Sequence, residues 1–163
     1  MTGRILILSA CAVLAVAGCG DDEDSATESD SAGASAADAA ERTKPEVEVP
    51  AGAPPKDLEI EDLVEGSGPA AAAGDLVSVQ YVGVDYDTGK EFDASWDRGE
   101  PFPFQLGAGM VIPGWDQGVE GMKVGGQREL VIPARLAYGK QGSPPAIGPD
   151  ATLVFVIDLL SIQ

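Results

Sequence analysis

Histidine and cysteine, two of the side chains most often used for nucleophilic and metal chemistry, are missing from most of this sequence. It has no histidine, which removes the Ser-His-Asp triad, the imidazole general base and His-ligated zinc. Both of its cysteines, Cys11 and Cys19, lie in the first twenty residues, so neither a disulfide nor a cysteine metal cluster is expected further along. What remains is a set of aromatics with a carboxylate among them. The stretch VIPGWDQGV (111–119) runs Pro113 and Gly114 straight into Trp115, one of two tryptophans. Phe92 is followed directly by Asp93, and Tyr81, Phe102 and Phe155 sit on β-patterned runs. Taken singly, each aromatic reads as core. Whatever chemistry they support must proceed without the usual reactive side chains.

The elements that hold these residues are short strands separated by turn signals every ten or so residues. LEIEDLV (58–64) alternates loosely. LVSVQYVGV (76–84) puts Val77, Val79 and Tyr81 on one face, and DYDTGKEF (85–92) carries a Thr-Gly turn into a further strand. PFPFQL (101–106) aligns Phe102, Phe104 and Leu106, QRELVI (127–132) aligns Leu130 and Ile132, and TLVFVIDLL (152–160) aligns Leu153, Phe155, Ile157 and Leu159. Only PGWDQGVEGM (113–122) has helical spacing, with Trp115, Val119 and Met122 forming one apolar stripe. Asp116 falls in its first turn, where it suits the helix dipole. The fold class is α+β: an antiparallel sheet wrapped around one short helix.

The rest of the chain reads as an address. With 27 acids against 10 bases and a formal charge of −17, it is a poor partner for nucleic acid, which needs a basic surface. Arg4 and the apolar run Ile5 to Val16 fit a secretory signal over residues 1–18. That run is too short for a comfortable transmembrane helix. It ends in Val16-Ala17-Gly18-Cys19, which resembles a bacterial lipobox, so Cys19 is expected to carry a diacylglycerol after cleavage. Two acyl chains satisfy the requirement for stable anchoring. A plain cleaved signal is the alternative. Residues 20–55 hold ten acids and two bases with almost no large apolar side chains, and 19–55 is expected to be a disordered tether. As a coil it would span roughly 30–35 Å. The compact domain is expected at 56–163, outside the cytoplasm and anchored to the membrane.

TGKEFDAS (88–95), VIPGWDQGVEGMKVGGQREL (111–130), VIPARLAYG (131–139) and ATLVFVIDLL (151–160) resemble the FKBP-type peptidyl-prolyl isomerases, the family that binds tacrolimus and rapamycin. The match runs in the family's order over about 57–163. It implies an FKBP-like twisted antiparallel sheet and an enzyme that speeds rotation about X-Pro bonds. It also implies proline-containing polypeptides as substrates, with tacrolimus or rapamycin as candidate ligands. Neither a cofactor nor a metal is implied.

Residue by residue, the resemblance makes Trp115 the floor under the proline ring and Tyr81, Phe92 and Phe102 aromatic walls. Val111 and Ile112 become the rim, with the Ile112 N–H holding the ligand carbonyl. Tyr138 is a hydroxyl that bonds ligand, and Phe155 closes the cavity. Asp93 is a polar contact that orients substrate, expected to be hydrogen-bonded by Tyr81; a turn-stabilising aspartate is the other reading. In the flap GKQGSPPAIGP (139–149), Ala146 and Ile147 are the apolar contacts, while Ser143 stands where some members carry histidine. Trp96 leaves two readings open, enlarging the site or anchoring its loop. Phe104 and Met122 are core. Two rival functions are a weakly catalytic module that holds proline segments in the same pocket, and a sugar-binding lipoprotein. The first family variant would have lost several aromatic walls; the second would need polar groups around Trp115. With no heptads, the chain is expected to be a monomer.

Overall fold

The computed structural model describes residues 33–163; the signal, the lipobox and both cysteines lie outside that range. Six strands form one antiparallel sheet: β1 (Glu59–Val64), β2 (Leu76–Asp85), β3 (Glu91–Ala94), β4 (Phe102–Gln105), β5 (Gln127–Ile132) and β6 (Leu153–Ile162). The order is β1-β5-β6-β2-β3, and β4 also pairs with β2. One edge of β2 is therefore shared. Leu76–Val79 pair with β4, and Val82–Val84 pair with β3.

Among the described residues, three α-helices accompany the sheet: α1 (Ala36–Glu41), α2 (Ser95–Arg98) and α3 (Pro113–Val119). Pro113 occupies the first turn of α3, where its missing N–H costs nothing. Gly114 and Gly118 face β5 so closely that a Cβ would lie 2.4 Å from Ile132 and 2.5 Å from Leu130. Only glycine lets α3 lie flat on the sheet there. The helix stops at Val119, earlier than its apolar spacing predicts, because Gly121 turns the chain at φ +77°. Met122 nonetheless packs into the same core as Trp115 and Val119. Arg128 Nη1 donates to the carbonyls of Gly118 (2.8 Å) and Glu120 (3.3 Å), satisfying the helix end.

Strand alternation divides the buried residues between two faces. Val77, Val79, Tyr81, Leu130, Ile132, Leu153, Phe155, Ile157 and Leu159 pack with α3. Val82, Val84, Ala94, Val131 and Val154 build a second cluster together with Tyr86.

That second cluster is covered by chain expected to be a disordered tether. From Ala34 onward the N-terminal stretch is folded onto the sheet. Ala34 bridges Gly66, and Ser35 caps α1 in a reciprocal capping box with Asp38. Arg42 reaches the fully buried Asp158 at 2.6 Å and the Gly125 carbonyl at 2.7 Å. Lys44 bonds Glu91 and Asp97, each at 2.7 Å. Val47 and Val49 pack against the Val82–Val84 cluster. The strap covers a sheet face whose buried acid and valines need partners that average composition does not show. Residues 34–49 thus pack against the domain expected to begin at residue 56.

Candidate functional site

A cavity of about 470 Å³ opens on the α3 side of the sheet, within the usual range for a small-ligand site. Trp115 lies at its base, 4 % exposed. Its ring meets Tyr81, Phe155 and Phe102 edge-on at centroid distances of 5.0, 5.3 and 6.1 Å. Phe104, which does not line the cavity, supports the indole from behind at 5.6 Å. Phe92 stands edge-on to Phe155 at 5.5 Å. Gly83, next on the Tyr81 face of β2, makes room for both rings: a Cβ there would lie 2.7 Å from each.

The rim comes from the loop between β4 and α3. Asp116 accepts hydrogen bonds from the N–H groups of Gly107 (2.8 Å) and Gly109 (3.1 Å). This carboxylate thus ties the loop to the helix, beyond the dipole role expected of it. The loop delivers Met110, Val111 and Ile112 to the cavity mouth, followed by Pro113. The Ile112 carbonyl accepts from Trp115 N–H at 2.9 Å.

The polar side of the site is a three-residue network. Tyr81 donates its hydroxyl to Asp93 at 2.5 Å, the partnership expected from the sequence. Arg98 donates from Nη1 to Asp93 at 2.6 Å and from Nη2 to the Tyr81 oxygen at 2.8 Å. The α2 turn brings Arg98 back over the Tyr81 ring, 5.5 Å from its centroid. Burial, reinforced by the Asp93 hydrogen bond, pushes the Tyr81 hydroxyl up to about 12 despite Arg98. Tyr138 also lines the cavity, and its hydroxyl is raised by burial and by the charge of Asp93.

The structure therefore brings together Tyr81, Phe92, Asp93, Phe102, Val111, Ile112, Trp115, Tyr138 and Phe155. It does not bring Ala146 or Ile147 to the lining. Ser143 and Ile147 exchange backbone hydrogen bonds of 2.9 and 3.0 Å. This tight loop leaves Ala146 exposed and buries Ile147 in the core. Trp96 is likewise absent from the cavity; it packs on the cluster that Val47 and Val49 cover, so it anchors its loop. Sequence reasoning missed Met110, Pro113 and Arg98. Met110 stands beside the recognised rim residues, whereas Arg98 had no regular spacing to Asp93 that would mark it.

Fold and cavity define a class: a small antiparallel-sheet protein whose helix-borne tryptophan floors an aromatic pocket with a single carboxylate at its edge. Comparison with known proteins makes the assignment specific. Residues 68–160 match the FKBP-type peptidyl-prolyl cis-trans isomerase family, and the chain belongs to that family. It is 63 % identical over 120 residues to an FK506-binding protein of Streptomyces anulatus, covering 73 % of this chain and 97 % of the relative. A probable FK506-binding protein of Corynebacterium glutamicum is 51 % identical over 118 residues, covering 72 % and 98 %. Among solved structures, AtFKBP13 is similar at a TM-score of 0.62 and 41 % identity, over 67 % of this chain and 95 % of that one. FkpA from Escherichia coli is similar at 0.60 and 46 %, over 65 % and 48 %. The protein is a peptidyl-prolyl cis-trans isomerase.

Proposed function

We propose that X-Pro rotation takes place in the 470 Å³ cavity, with the proline ring on Trp115 and between Tyr81, Phe92, Phe102 and Phe155. One observation carries this reading: six aromatic side chains converge on a cavity whose only charged lining residue, among the described residues, is Asp93. Rotation must break amide resonance, against a barrier of about 18–20 kcal/mol. The planar amide is the more polar form, so a poorly solvated carbonyl favours the twisted one. A 10⁴-fold acceleration corresponds to roughly 5–6 kcal/mol, a scale that preorganised contacts and desolvation can supply. The Ile112 N–H at the rim holds the substrate carbonyl, and Tyr138 offers a second donor. Asp93 orients substrate through a network shared with Tyr81 and Arg98. It is not a general base, because rotation removes no proton.

The names of the relatives state FK506 binding, and the same aromatic walls make tacrolimus or rapamycin a ligand of this pocket. The experiment is cis-to-trans exchange of an X-Pro peptide with the full chain, with and without rapamycin. Acceleration abolished by rapamycin supports the site. Rapamycin binding without acceleration would make the protein a proline-segment binding module.

We further propose that residues 1–18 are a cleaved signal and that Cys19 is lipidated, so that the substrates are exported chains. Arg4, the run Ile5 to Val16 and the Val16-Ala17-Gly18-Cys19 boundary support this. Cys19→Ala should abolish labelling by radioactive fatty acid; persistent labelling would refute lipidation there.

A further inference from the structure

Sulfur is scarce in the described part of the chain, and one atom of it stands in the open. The sequence has two cysteines and three methionines. Cys11, Cys19 and Met1 lie outside the described residues, and Met122 is sealed in the core at 1 % exposure. Met110 is 66 % exposed and lines the cavity mouth. Five large apolar side chains are exposed among the described residues, and two of them, Met110 and Tyr138, belong to this one mouth. The backbone at Met110 is held from both sides. Asp116 accepts from the N–H groups of Gly107 and Gly109 at 2.8 and 3.1 Å, which pins the preceding loop to α3. Val111 and Ile112, just after it, pack against the core. A long thioether side chain is thus kept at the lip, open to solvent and to ligand alike.

We infer that Met110 is a site of reversible oxidation by peroxides, and that its sulfoxide weakens the pocket's hold on proline-containing and macrolide ligands. The thioether sulfur attacks one oxygen of hydrogen peroxide, and the S–O bond forms as the O–O bond breaks. Sulfur gives up two electrons, and the second oxygen leaves as water with both protons. The product is a polar side chain where a flexible apolar one stood. A ligand closing over the mouth must then strip water from the new S–O dipole, a cost that the thioether does not impose. Water held there also lies beside the substrate carbonyl, against the desolvation that favours rotation. Burial keeps Met122 out of reach, so the core is spared.

The inference rests on the cavity being the site of isomerisation, and its test separates the two. The full chain and Met110→Leu are each treated with hydrogen peroxide. Peptide mass mapping reads the oxygen gained at each methionine. The kcat/KM for an X-Pro peptide, the rapamycin Kd and the melting temperature are measured before and after. Met110 should gain an oxygen while Met122 does not. The rate should fall and the Kd rise by about five-fold, the scale of desolvating one partly compensated polar group, with the melting temperature unmoved. Methionine sulfoxide reductase should restore both values. Met110→Leu, which keeps the same cysteines, should lose nothing on treatment. Fully oxidised Met110 with rate and Kd unchanged, Met122 oxidised first, or an equal loss in Met110→Leu overturns the inference and leaves the site assignment standing. An untreated chain that fails to accelerate X-Pro exchange sinks the site assignment, and the inference with it.

Discussion

Replacing Arg42 by methionine should destabilise the protein in a pH-dependent way. Asp158 lies on β6 with no solvent exposure, and the Arg42 side chain is 18 % exposed. Arg42 bonds Asp158 at 2.6 Å, and Gln127 adds contacts of 3.0 and 3.3 Å. Breaking a buried pair by removing one partner costs about 3–5 kcal/mol, because a charge is left uncompensated. Since Gln127 remains, the lower end applies, about 3 kcal/mol or about 10 °C for a domain of this size.

The sign with pH follows from the carboxyl. Burial raises its pKa above the ordinary value, while Arg42 and Gln127 pull it back. A raised folded-state pKa means that Asp158 favours folding at acid pH and that this contribution is lost as pH rises through the folded value. Without Arg42 the folded value rises further. The deficit of Arg42→Met should therefore be largest at pH 7 and shrink towards pH 4, as the raised carboxyl takes up its proton. Thermal unfolding of the full chain at both pH values is the assay. Adding Asp158→Asn should recover most of the loss at pH 7. A melting temperature within 2 °C of wild type at pH 7, or an equal deficit at pH 4, would refute the reasoning.

Other expectations concern the pocket. Trp115→Leu keeps an apolar floor but loses edge contacts worth about 0.5–1.5 kcal/mol each, so kcat/KM should fall by about ten-fold; an unchanged value would remove Trp115 from the floor. Gly83→Ala puts a methyl into the Phe92 and Phe155 rings and should cost about 1–3 kcal/mol, with rapamycin affinity falling alongside it in a titration. The rate should be flat between pH 6 and 9, because the chain has no histidine and Tyr81 stays protonated up to about 12; a bell-shaped profile would indicate a proton transfer that rotation does not need. In Asp93→Asn the Tyr81 hydroxyl loses a neighbour that raises its pKa, so ultraviolet titration should show it ionising lower.

The sheet and the pocket floor were legible because their signals are periodic. Val77, Val79 and Tyr81 alternate, as do Leu153, Phe155, Ile157 and Leu159, and period two places each set on one face whatever the distant partners are. Trp115 and Val119 worked the same way at helical spacing, whereas Met122 reaches the same core from beyond the helix end. The flap failed for want of such a rule: whether Ile147 faces ligand or core depends on its bridge to Ser143, a tertiary fact. Arg98 was hidden because the short α2 turn, not a repeat, returns it to Asp93. The strap was misread because composition averages over residues. Its 36-residue stretch (20–55) looks like acidic low complexity, yet Ser35-x-x-Asp38 is a capping signal, and Val47 and Val49 alternate with Glu46 and Glu48. The only two bases of that stretch, Arg42 and Lys44, both pair with acids of the domain.

Those two bases change which protein should be assayed. A domain cut at residue 56 keeps every pocket-lining side chain, so by sequence alone it is the natural minimal enzyme. It would also lack the counter-charge of the buried Asp158, the valines over Val82, Val84 and Val154, and the lysine that engages Asp97. Along β2, Tyr81 points to the pocket while Val82 and Val84 point to the strap, so uncovering one face acts on the strand that shapes the other. Low activity from the cut domain would then be ambiguous between a poor site and a loosened sheet. The same measurement on the full chain, with Arg42 changed and the melting temperature read beside the rate, separates the two.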